Sequence, residues 1–243
     1  MIIIATREMA QKYVDSVGSV AVNLAGFLAA NDDIDIFSST LGEGIMLRGE
    51  RHTLLYSKRF DVIDDLVASL TGQTVVFSCV EKNIANHIIN GKATIWQNCC
   101  FVYTYDKSDI ALKPMPQNVV VAPIYKNQIK RVNDNYTYKA FGSRKILYEK
   151  ICARDSSAVY FNGQMVAWSL LHEDYSLGAM FVLPEFRRLG FATLVTENLV
   201  QKVLAKGVVP SVQIVCNNEA SKNLANAIGF EKKFESYWFQ LKC

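Results

Sequence analysis

Arg187-Arg188-Leu189-Gly190-Phe191-Ala192 joins two differently patterned segments of the chain. Before it lies an apolar run typical of a strand, Leu177 to Leu183, and after it apolar residues recur at helical spacing from Phe191 to Lys206. The first turn of a helix has N–H groups without partners and a positive dipole end, and a glycine lets a ligand approach the main chain. Two arginines add charge and forked donors. The order strand, basic-glycine turn, helix therefore predicts an anion site that fits a pyrophosphate.

Length and charge limit the classes of protein to consider. The chain has 243 residues, of which 50% are hydrophobic and 20% are charged. This is enough material for one large domain or two small ones with an apolar core. The net charge is only +3, and the basic residues are spread along the chain without a long basic block. The net charge alone argues neither for nor against a nucleic-acid partner, but because the chain has no long basic block and no RNA-binding motif, we expect none.

The cysteines and histidines do not form a metal-binding pattern. The six cysteines include no Cys-x-x-Cys pair, and the three histidines lie far apart in the sequence. No metal site is expected. Because the chain is neither short nor rich in cysteine, we interpret all six as free, mostly buried thiols in a reducing compartment. They are Cys79, Cys99, Cys100, Cys152, Cys216 and Cys243.

The N-terminal sequence predicts neither a leader peptide nor a membrane anchor. Met1-Ile2-Ile3-Ile4 is followed at once by Arg7 and Glu8, without the basic region and cleavage site of a signal peptide. The apolar segment Val17 to Ala30 is interrupted by Asn23 and is shorter than the roughly 20 apolar residues that a membrane span needs. We expect a buried helix there, no membrane partner and a cytoplasmic location.

Prolines mark a connector near the middle of the chain. Three of the five prolines, Pro114, Pro116 and Pro123, fall in the irregular stretch from Asp106 to Pro123. We therefore expect two parts, residues 1–115 and residues 116–243. The elements predicted for the first part are a helix (Glu8 to Ala30), two strands (Gly44 to Ser57), a helix (Asp61 to Leu70), a strand (Thr74 to Val80), a helix (Glu81 to Asn90) and a strand (Ala93 to Tyr105).

The second part has clearer patterns. Asn162-Gly163 between two β-rich runs predicts a hairpin, and Ser143 is a candidate helix cap. The predicted helices are Ile124 to Tyr136, Ser143 to Arg154, Phe191 to Lys206 and Glu219 to Ile228. The predicted strands are Ala158 to Phe161, Met165 to Leu171, Leu177 to Leu183, Ser211 to Cys216 and Phe234 to Leu241.

A faint internal repeat links the two parts. Thr74 to Cys79 followed by Asn83 to Ile88 resembles Ser211 to Cys216 followed by Asn223 to Ile228. Chance can produce such an echo, and so can a duplication, which would give two similar α/β halves. Only the second half carries the Arg-x-x-Gly-x-Ala turn. The first would then be a copy without a phosphate site that helps to cover the substrate.

Further motifs follow in a fixed order. They are Met165-Val166-Ala167-Trp168-Ser169-Leu170, Leu183-Pro184-Glu185-Phe186-Arg187-Arg188-Leu189-Gly190, Gly207-Val208-Val209-Pro210, Asn217-Asn218-Glu219-Ala220-Ser221, Ile228-Gly229-Phe230 and Tyr237-Trp238-Phe239-Gln240-Leu241. As an ordered set, they resemble the GNAT superfamily of N-acyltransferases, and within it the glycine N-acyltransferase-like branch. The resemblance extends from Phe161 to the C-terminus, and it is loose in the first part, mainly at Phe101 to Tyr105.

The resemblance implies an α/β (α+β) fold. A GNAT-type twisted mixed sheet would be flanked by helices, its middle strands would splay apart around acyl-CoA, and the N-terminal half would be degenerate. Acetyl-CoA is the default cosubstrate, and a larger acyl-CoA is the alternative. The residues implied to hold it are Phe181, Val182, Leu183 and Asn218 for the pantetheine, and Arg187, Arg188, Leu189, Gly190, Phe191 and Ala192 for the pyrophosphate. Asn218 is also a candidate helix cap.

Two positions depart from the pattern of the family. Ser176 stands where glycine acyltransferases have a glutamate, and Ala225 stands where many GNAT enzymes have a tyrosine that protonates the thiolate. Serine is a poor base at neutral pH, so Glu173 and Asp174 become candidate bases, with exposed turn residues as the alternative interpretation. The remaining polar candidates for the chemistry are Tyr175, Tyr237, Cys216 and His172, and Trp238 is a candidate wall of the acceptor pocket.

These observations lead to one expected function and two alternatives. We expect an acyl-CoA-dependent N-acyltransferase, a monomer or homodimer, in which the amine of a small molecule or amino acid attacks the thioester directly. Positioning of the reactants supplies much of the rate in such reactions. The missing glutamate and tyrosine favour a non-catalytic acyl-CoA-binding or interaction protein instead. A protein or peptide N-acetyltransferase would differ only in its acceptor groove.

Overall fold

A twelve-stranded sheet with helices on both faces forms the framework of the chain. The computed structural model describes residues 1–112, 114–136 and 144–243. The strands of this part are Ile2–Ile4 (β1), Asp35–Ser39 (β2), Gly44–Arg48 (β3), Thr53–Ser57 (β4), Thr74–Glu81 (β5), Trp96–Thr104 (β6), Val119–Ala122 (β7), Ser156–Phe161 (β8), Gln164–Leu171 (β9), Leu177–Val182 (β10), Ser211–Val215 (β11) and Glu231–Lys242 (β12). The α-helices are Arg7–Val17 (α1), Val22–Ala30 (α2), Phe60–Ala68 (α3), Lys82–Ile89 (α4), Ile129–Asp134 (α5), Arg144–Ala153 (α6), Phe191–Leu204 (α7) and Glu219–Ile228 (α8).

The strand order is the same when it is followed inward from either edge. It is β1-β2-β3-β4-β5-β12-β6-β11-β10-β9-β8-β7, so β1 to β5 on one side match β7 to β11 on the other. The parallel pairs β4–β5 and β10–β11 occupy equivalent places, and the other neighbours are antiparallel. The echoing sequences form β5 with α4 and β11 with α8, which also correspond. Two similar halves therefore share one sheet, and β12 lies between β5 and β6 of the first half.

Most predicted elements are present, and three short strands were missed. The missed strands are β1, β2 and β7, of 3, 5 and 4 residues. The long helix predicted from Glu8 to Ala30 is broken at Gly18, which has φ 77° and begins a short 3-10 turn. The predicted helix cap Ser143 lies outside the described residues.

The N-terminal helices pack against the sheet. Among the described residues, the segment Arg7–Ala30, with 24 residues, is long and apolar enough to cross a membrane by length and composition alone. It is divided into α1, the 3-10 turn and α2, and its residues Val14, Leu24, Phe27 and Leu28 are buried in a core with the strands. Core helices of soluble proteins pass the same test of length and composition, so the expected buried helix accounts for this segment.

Two cysteines are bonded to each other. Cys99 and Cys216 form a disulfide with a Cα–Cα distance of 5.7 Å, so the prediction that all six cysteines are free thiols is wrong for this pair. The reason is strand pairing, because β6 and β11 are antiparallel neighbours and the Cys216 N–H donates to the Cys99 carbonyl at 3.0 Å. The other four cysteines are free. Within the described residues, one group of side chains of the kind that can bind a metal ion lies close together: Cys99, Cys216 and Glu235. The two cysteines of this group are those of the disulfide.

In the first half, the strand that corresponds to β10 is β4, and it is followed by side chains that are paired with each other. Arg59, just before α3, pairs with Glu43 at 2.9 Å and with Asp61 at 2.5 Å. Phe60 stacks on His87 of α4 with ring centroids 4.5 Å apart. Arg59 is therefore already paired with carboxylates. That the first half lacks a phosphate site stays a prediction.

Candidate functional site

The parallel strands β10 and β11 meet at one end and separate at the other. Their register contains a single pair, Leu177 and Val212, whereas β10 follows β9 as far as Val182. A bulge follows Gly178, where Ala179 has φ 49°. Bulges bend a strand and end its pairing, which explains why β10 turns away from β11. The opening contains a cavity of about 250 Å³.

The main-chain N–H groups at the end of β10 face alternately towards β9 and towards the gap on the side of β11. The Leu183 N–H donates to the Val166 carbonyl beside β9 at 2.9 Å. Successive residues of a strand direct their N–H groups to opposite edges, so the N–H of Val182 faces the gap on the β11 side. The Phe181 ring stacks on Trp168 with centroids 5.1 Å apart. Of the three residues predicted to contact the pantetheine, Phe181, Val182 and Leu183, Val182 is the one whose main chain faces the opening.

The arginine-glycine corner has the geometry of an anion site. After a 3-10 turn, Arg188 has φ 65° and Gly190 has φ 81°, and α7 begins at Phe191. Within the described part of the chain, the N–H groups of residues 188–193 have no hydrogen-bond acceptor, and the first helical bond runs from the Leu194 N–H to the Gly190 carbonyl at 3.2 Å. A Cβ on Gly190 would meet nothing within 4 Å. The corner therefore combines free N–H donors with open space beside Gly190, as an anion site requires.

The side chains of the corner leave its charge accessible. Arg187 and Arg188 are exposed, and neither forms an ion pair with a carboxylate of the described residues. The Arg187 Nε donates to the Val182 carbonyl at 3.2 Å, which holds its guanidinium at the mouth of the gap. Leu189 is exposed, while Phe191 is buried and anchors the start of α7. Ala192 lies in the first turn of α7 and is partly exposed.

Asn218 caps α8 and borders the same cavity. Its side chain accepts from the Ser221 N–H at 3.1 Å, which confirms the predicted cap. Asn218, Ser221 and Ala225 all border the cavity between β10 and β11. Ala225, at the position of the family tyrosine, is buried and offers no acid. Contact between Asn218 and a pantetheine stays a prediction.

Asp174 lies at the centre of a buried hydrogen-bond network. It is only 7% exposed, so its interpretation as an exposed turn residue is wrong. Its carboxylate accepts from the Ser176 N–H at 3.0 Å, the Ser176 hydroxyl at 2.5 Å, the Gln213 amide at 2.9 Å and the Asn23 amide. The close approach of α2 needs a glycine, because a Cβ on Gly26 would lie 2.0 Å from the Asp174 carbonyl oxygen. Ser176 acts here as a donor to Asp174.

Glu173 belongs to a cluster of charged and titratable side chains. Its carboxylate lies 3.2 Å from the Lys150 Nζ and 3.8 Å from the His52 Nε2, and the Lys150 Nζ lies 3.5 Å from the His172 Nδ1. Burial opposes the charged form of Glu173, but Lys150 and then the two histidines prevail and lower its pKa to about 2. Burial, and then Lys150, lowers the pKa of His172 to about 4. At neutral pH the cluster therefore holds a carboxylate and a neutral imidazole.

The other polar candidates lie elsewhere or are already engaged. Tyr175 packs against the core beneath α7, with the Lys206 ammonium 5.6 Å from its ring. The Tyr237 hydroxyl donates to Glu235 at 3.3 Å. Cys216 is in the disulfide and offers no thiol. None of these groups stands beside the opening as a free acid within the described structure.

Trp238 and four residues that the sequence did not indicate as site residues complete the site. The Trp238 Nε1 donates to the Gln213 side chain, and its ring lies edge-on to His52 with centroids 5.4 Å apart. A narrow constriction is bordered by His52, Glu173, Asp174 and Trp238. His172 borders the same constriction from the side of the β10–β11 cavity. Asn23, His52, Gln213 and Lys150 had no sequence signal, because each is one polar residue inside an ordinary helix, strand or turn.

The sequence of the second half matches a known family model. The model described as FR47-like protein matches residues 159–239, which contain the bulge, the corner and Asn218. No curated protein matches the chain.

Solved structures share the fold over nearly the whole chain. A Drosophila protein is 16% identical with a TM-score of 0.79, covering 99% of this chain and 98% of that one. A tandem GNAT protein from the clavulanic acid biosynthesis pathway is 12% identical with a TM-score of 0.56, covering 99% and 97%. A GCN5-related N-acetyltransferase from Sphaerobacter thermophilus is 11% identical with a TM-score of 0.59, covering 99% and 94%. At these identities the likeness establishes the fold, which is the mixed α/β fold of GNAT acetyltransferases.

Proposed function

We propose that the chain is an acyl-CoA-dependent N-acyltransferase, with acetyl-CoA as the default donor. The observation that carries the proposal is the unpartnered corner of residues 188–193 at the end of a gap between two parallel strands. A diphosphate would accept from the free N–H groups and be neutralised by Arg187 and Arg188. The pantetheine would then run along β10 towards the bulge.

The acceptor is proposed to be the amine of a small molecule or amino acid that attacks the thioester directly. The Val182 N–H, which faces the gap, is a candidate donor to the developing oxyanion. An ammonium must lose a proton before it attacks, and Asp174 borders the constriction behind the gap. Asp174 is the better candidate base, because Lys150, His52 and His172 hold the pKa of Glu173 at about 2 and leave it little affinity for a proton.

A second candidate function is a non-catalytic acyl-CoA-binding protein. It is favoured by Ser176, whose hydroxyl is turned to Asp174, and by Ala225, which replaces the family acid. Both candidates require the corner to bind acyl-CoA. They differ in whether an acylated amine is formed, and a peptide acceptor would appear as an acylated peptide in the same assay.

The two-part organisation is also proposed. Residues 1–115 would be a degenerate GNAT-like half and residues 116–243 the acyl-CoA-binding half, joined by exchange of β6 and β12. The order of motifs in the second half supports membership of the glycine N-acyltransferase-like branch. In this arrangement the first half covers the acceptor side of the gap.

The test is calorimetric titration of acetyl-CoA into the protein and into a variant with Arg187→Ala and Arg188→Ala. We expect at least a tenfold weaker affinity for the variant, about 1.4 kcal/mol, and a smaller salt dependence. The matched control removes two exposed charges from α6, Arg144→Ala and Lys145→Ala, and should keep the affinity of the wild type. Unchanged affinity in the corner variant would overturn the assignment of the site. Release of CoA over a panel of amines then separates the enzyme from the binding protein.

A further inference from the structure

The disulfide lies where the two halves of the sheet are joined. Cys99 is in β6 of the first half, and Cys216 directly follows β11 of the second half. Glu235 comes from β12, which is the neighbour of β6 on its other side. Three adjacent strands thus bring two sulfur atoms and one carboxylate oxygen within 4.8 Å of one another. These are ligand types that metal ions use in proteins.

The carboxylate of Glu235 is oriented towards the cysteines. Its Oε1 lies 3.5 Å from the Cys99 Sγ and accepts from the Tyr237 hydroxyl at 3.3 Å. Its Oε2 pairs with the Lys82 Nζ at 3.0 Å. Outer hydrogen bonds of this kind hold the ligands of metal ions in place. Glu235 and both cysteines are only partly buried, so the group is open to solvent.

The charges around the group suit a soft divalent ion. Reduction of the disulfide followed by loss of two thiol protons would leave two thiolates beside the carboxylate of Glu235. A divalent cation neutralises two of these three negative charges, and the ammonium of Lys82 offsets the third. Zinc binds thiolate and carboxylate ligands in tetrahedral geometry and accepts three protein ligands with a water. Magnesium and calcium prefer oxygen ligands alone, so the two sulfur atoms favour zinc.

We propose that, after reduction of the disulfide, Cys99, Cys216 and Glu235 bind one zinc ion with water as the fourth ligand. A thiol reductant supplies two electrons and two protons to the disulfide and is itself oxidised to a disulfide. Zinc then displaces the two protons of the cysteine thiols. The link between β6 and β11 is therefore covalent in the oxidised protein and formed by zinc in the reduced protein.

Oxidation reverses the exchange. Hydrogen peroxide takes two electrons from the two thiolates, gains two protons and leaves as two water molecules, while the S–S bond forms and zinc is released. Either link fixes the end of β11, because Cys216 is two positions before Asn218, which caps α8 and borders the β10–β11 cavity. The proposal does not depend on the acyltransferase function.

The test is a zinc titration of the reduced chain. The protein is reduced with dithiothreitol, separated from it by gel filtration under nitrogen, and titrated with zinc in competition with a chromophoric chelator. We expect one zinc ion per chain with a dissociation constant of about 1 μM or lower. The oxidised protein should bind zinc at least about 100-fold more weakly, because its sulfur atoms are not thiolates. Cobalt(II) in place of zinc should give sulfur-to-metal charge-transfer absorption.

Variants assign the ligands. Glu235→Gln should weaken zinc binding at least about tenfold, and the double variant Cys99→Ser and Cys216→Ser should lose both zinc binding and the cobalt absorption. The matched controls are Glu231→Gln, at an exposed carboxylate of the same strand, and Cys152→Ser, at an exposed free thiol. Both should keep the affinity of the wild type. Urea unfolding of every variant shows that it is folded.

Peroxide provides the final measurement. Added to the zinc-loaded protein, it should release one zinc ion for each disulfide that forms. Zinc binding that survives in the double cysteine variant, or equal affinity of the oxidised and reduced proteins, would overturn the proposal. Reduced protein that is folded and binds no zinc would overturn it as well. Unchanged affinity in Glu235→Gln would exclude the carboxylate and with it the three-ligand site.

Discussion

His172 lies so close to the backbone of Gly178 that no side chain fits between them. A Cβ on residue 178 would come within 1.8 Å of the His172 Nε2. The imidazole thus rests against β10 just before its bulge, with its other nitrogen 3.5 Å from the Lys150 Nζ. The glycine positions a neutral imidazole at the boundary between the β10–β11 cavity and the constriction.

The first prediction concerns this contact. Gly178→Ala should destabilise the protein by about 1–3 kcal/mol, because overpacking forces the imidazole or the strand to move. In a His172→Ala background the same substitution should cost less than about 1 kcal/mol, because the clash is gone. Urea unfolding of the four proteins gives the coupling energy. Equal costs in both backgrounds would contradict a direct contact.

The second prediction is a loss of stability in acid. The folded pKa of His172 is about 4 against 6.5 for an ordinary imidazole, so the unfolded state binds its proton more tightly. Neutral His172 should therefore add about 1–3 kcal/mol to the free energy of unfolding above pH 6.5, and this stabilisation should be lost as the pH falls towards 4. Glu173, with a pKa of about 2 against 4.5, should add a second loss below pH 4.5.

Urea unfolding across pH 7.5 to 3.5 measures this prediction. His172→Gln should make the profile less steep between pH 6.5 and 4.5 and retain the decline below it. A residual slope is expected in this range, because burial also lowers the pKa of His52. A wild-type profile that is level between pH 6.5 and 4.5 would show that His172 titrates alike in the folded and unfolded states.

The third prediction separates the candidate base from its neighbour. If the carboxylate accepts the amine proton, Asp174→Asn should lower kcat at least 100-fold. The same substitution should destabilise the fold by about 1–3 kcal/mol, because it places an amide beside the amide donors of Asn23 and Gln213. Ser176→Ala keeps the carboxylate and should lower kcat less than tenfold. Single-turnover rates at saturating acetyl-CoA provide the measurement. A larger loss for Ser176→Ala than for Asp174→Asn would make the serine the essential group.

The fourth prediction concerns the disulfide between Cys99 and Cys216. These residues are 117 positions apart, and reduction should lower the free energy of unfolding by about 2–5 kcal/mol through the longer loop freed in the unfolded chain. Urea unfolding with and without a phosphine reductant tests this. The double variant Cys99→Ser and Cys216→Ser should not respond to reductant, and Cys152→Ser, at an exposed free thiol, should respond as the wild type does. Alkylation of all six thiols in unreduced, unfolded protein would contradict the bond.

The sequence predicted the elements with strong local patterns. The hairpin at Asn162-Gly163, the corner before α7 and the cap at Asn218 each depend on a few adjacent residues whose chemistry dictates the local backbone. β1 and β7 were missed because strands of 3 and 4 residues at the sheet edges carry too few residues to show alternation. The local sequence was therefore enough to predict the arginine-glycine corner, but it was not enough to predict the strands at the edges of the sheet.

The rest of the candidate site is formed by contacts between distant parts of the chain. Asn23 reaches Asp174 across 151 positions, and Cys99 reaches Cys216 across 117. The disulfide depends on the register of β6 and β11, and the contact of Asn23 with Asp174 depends on the packing of α2 against the β9–β10 turn. No local pattern encodes either arrangement. Burial of Asp174 likewise follows from the approach of α2 at Gly26, so a residue in a turn became an interior carboxylate.

The position of β12 has a consequence for synthesis of the chain. Because β12 fills the space between β5 and β6, a nascent polypeptide has both of those strand edges unsatisfied until residues 231–242 leave the ribosome. Exposed edges of this kind recruit other strands, so chaperone demand should be greatest before β12 has emerged. For the same reason, proteolytic cleavage near Pro116 should leave two fragments that remain interlocked.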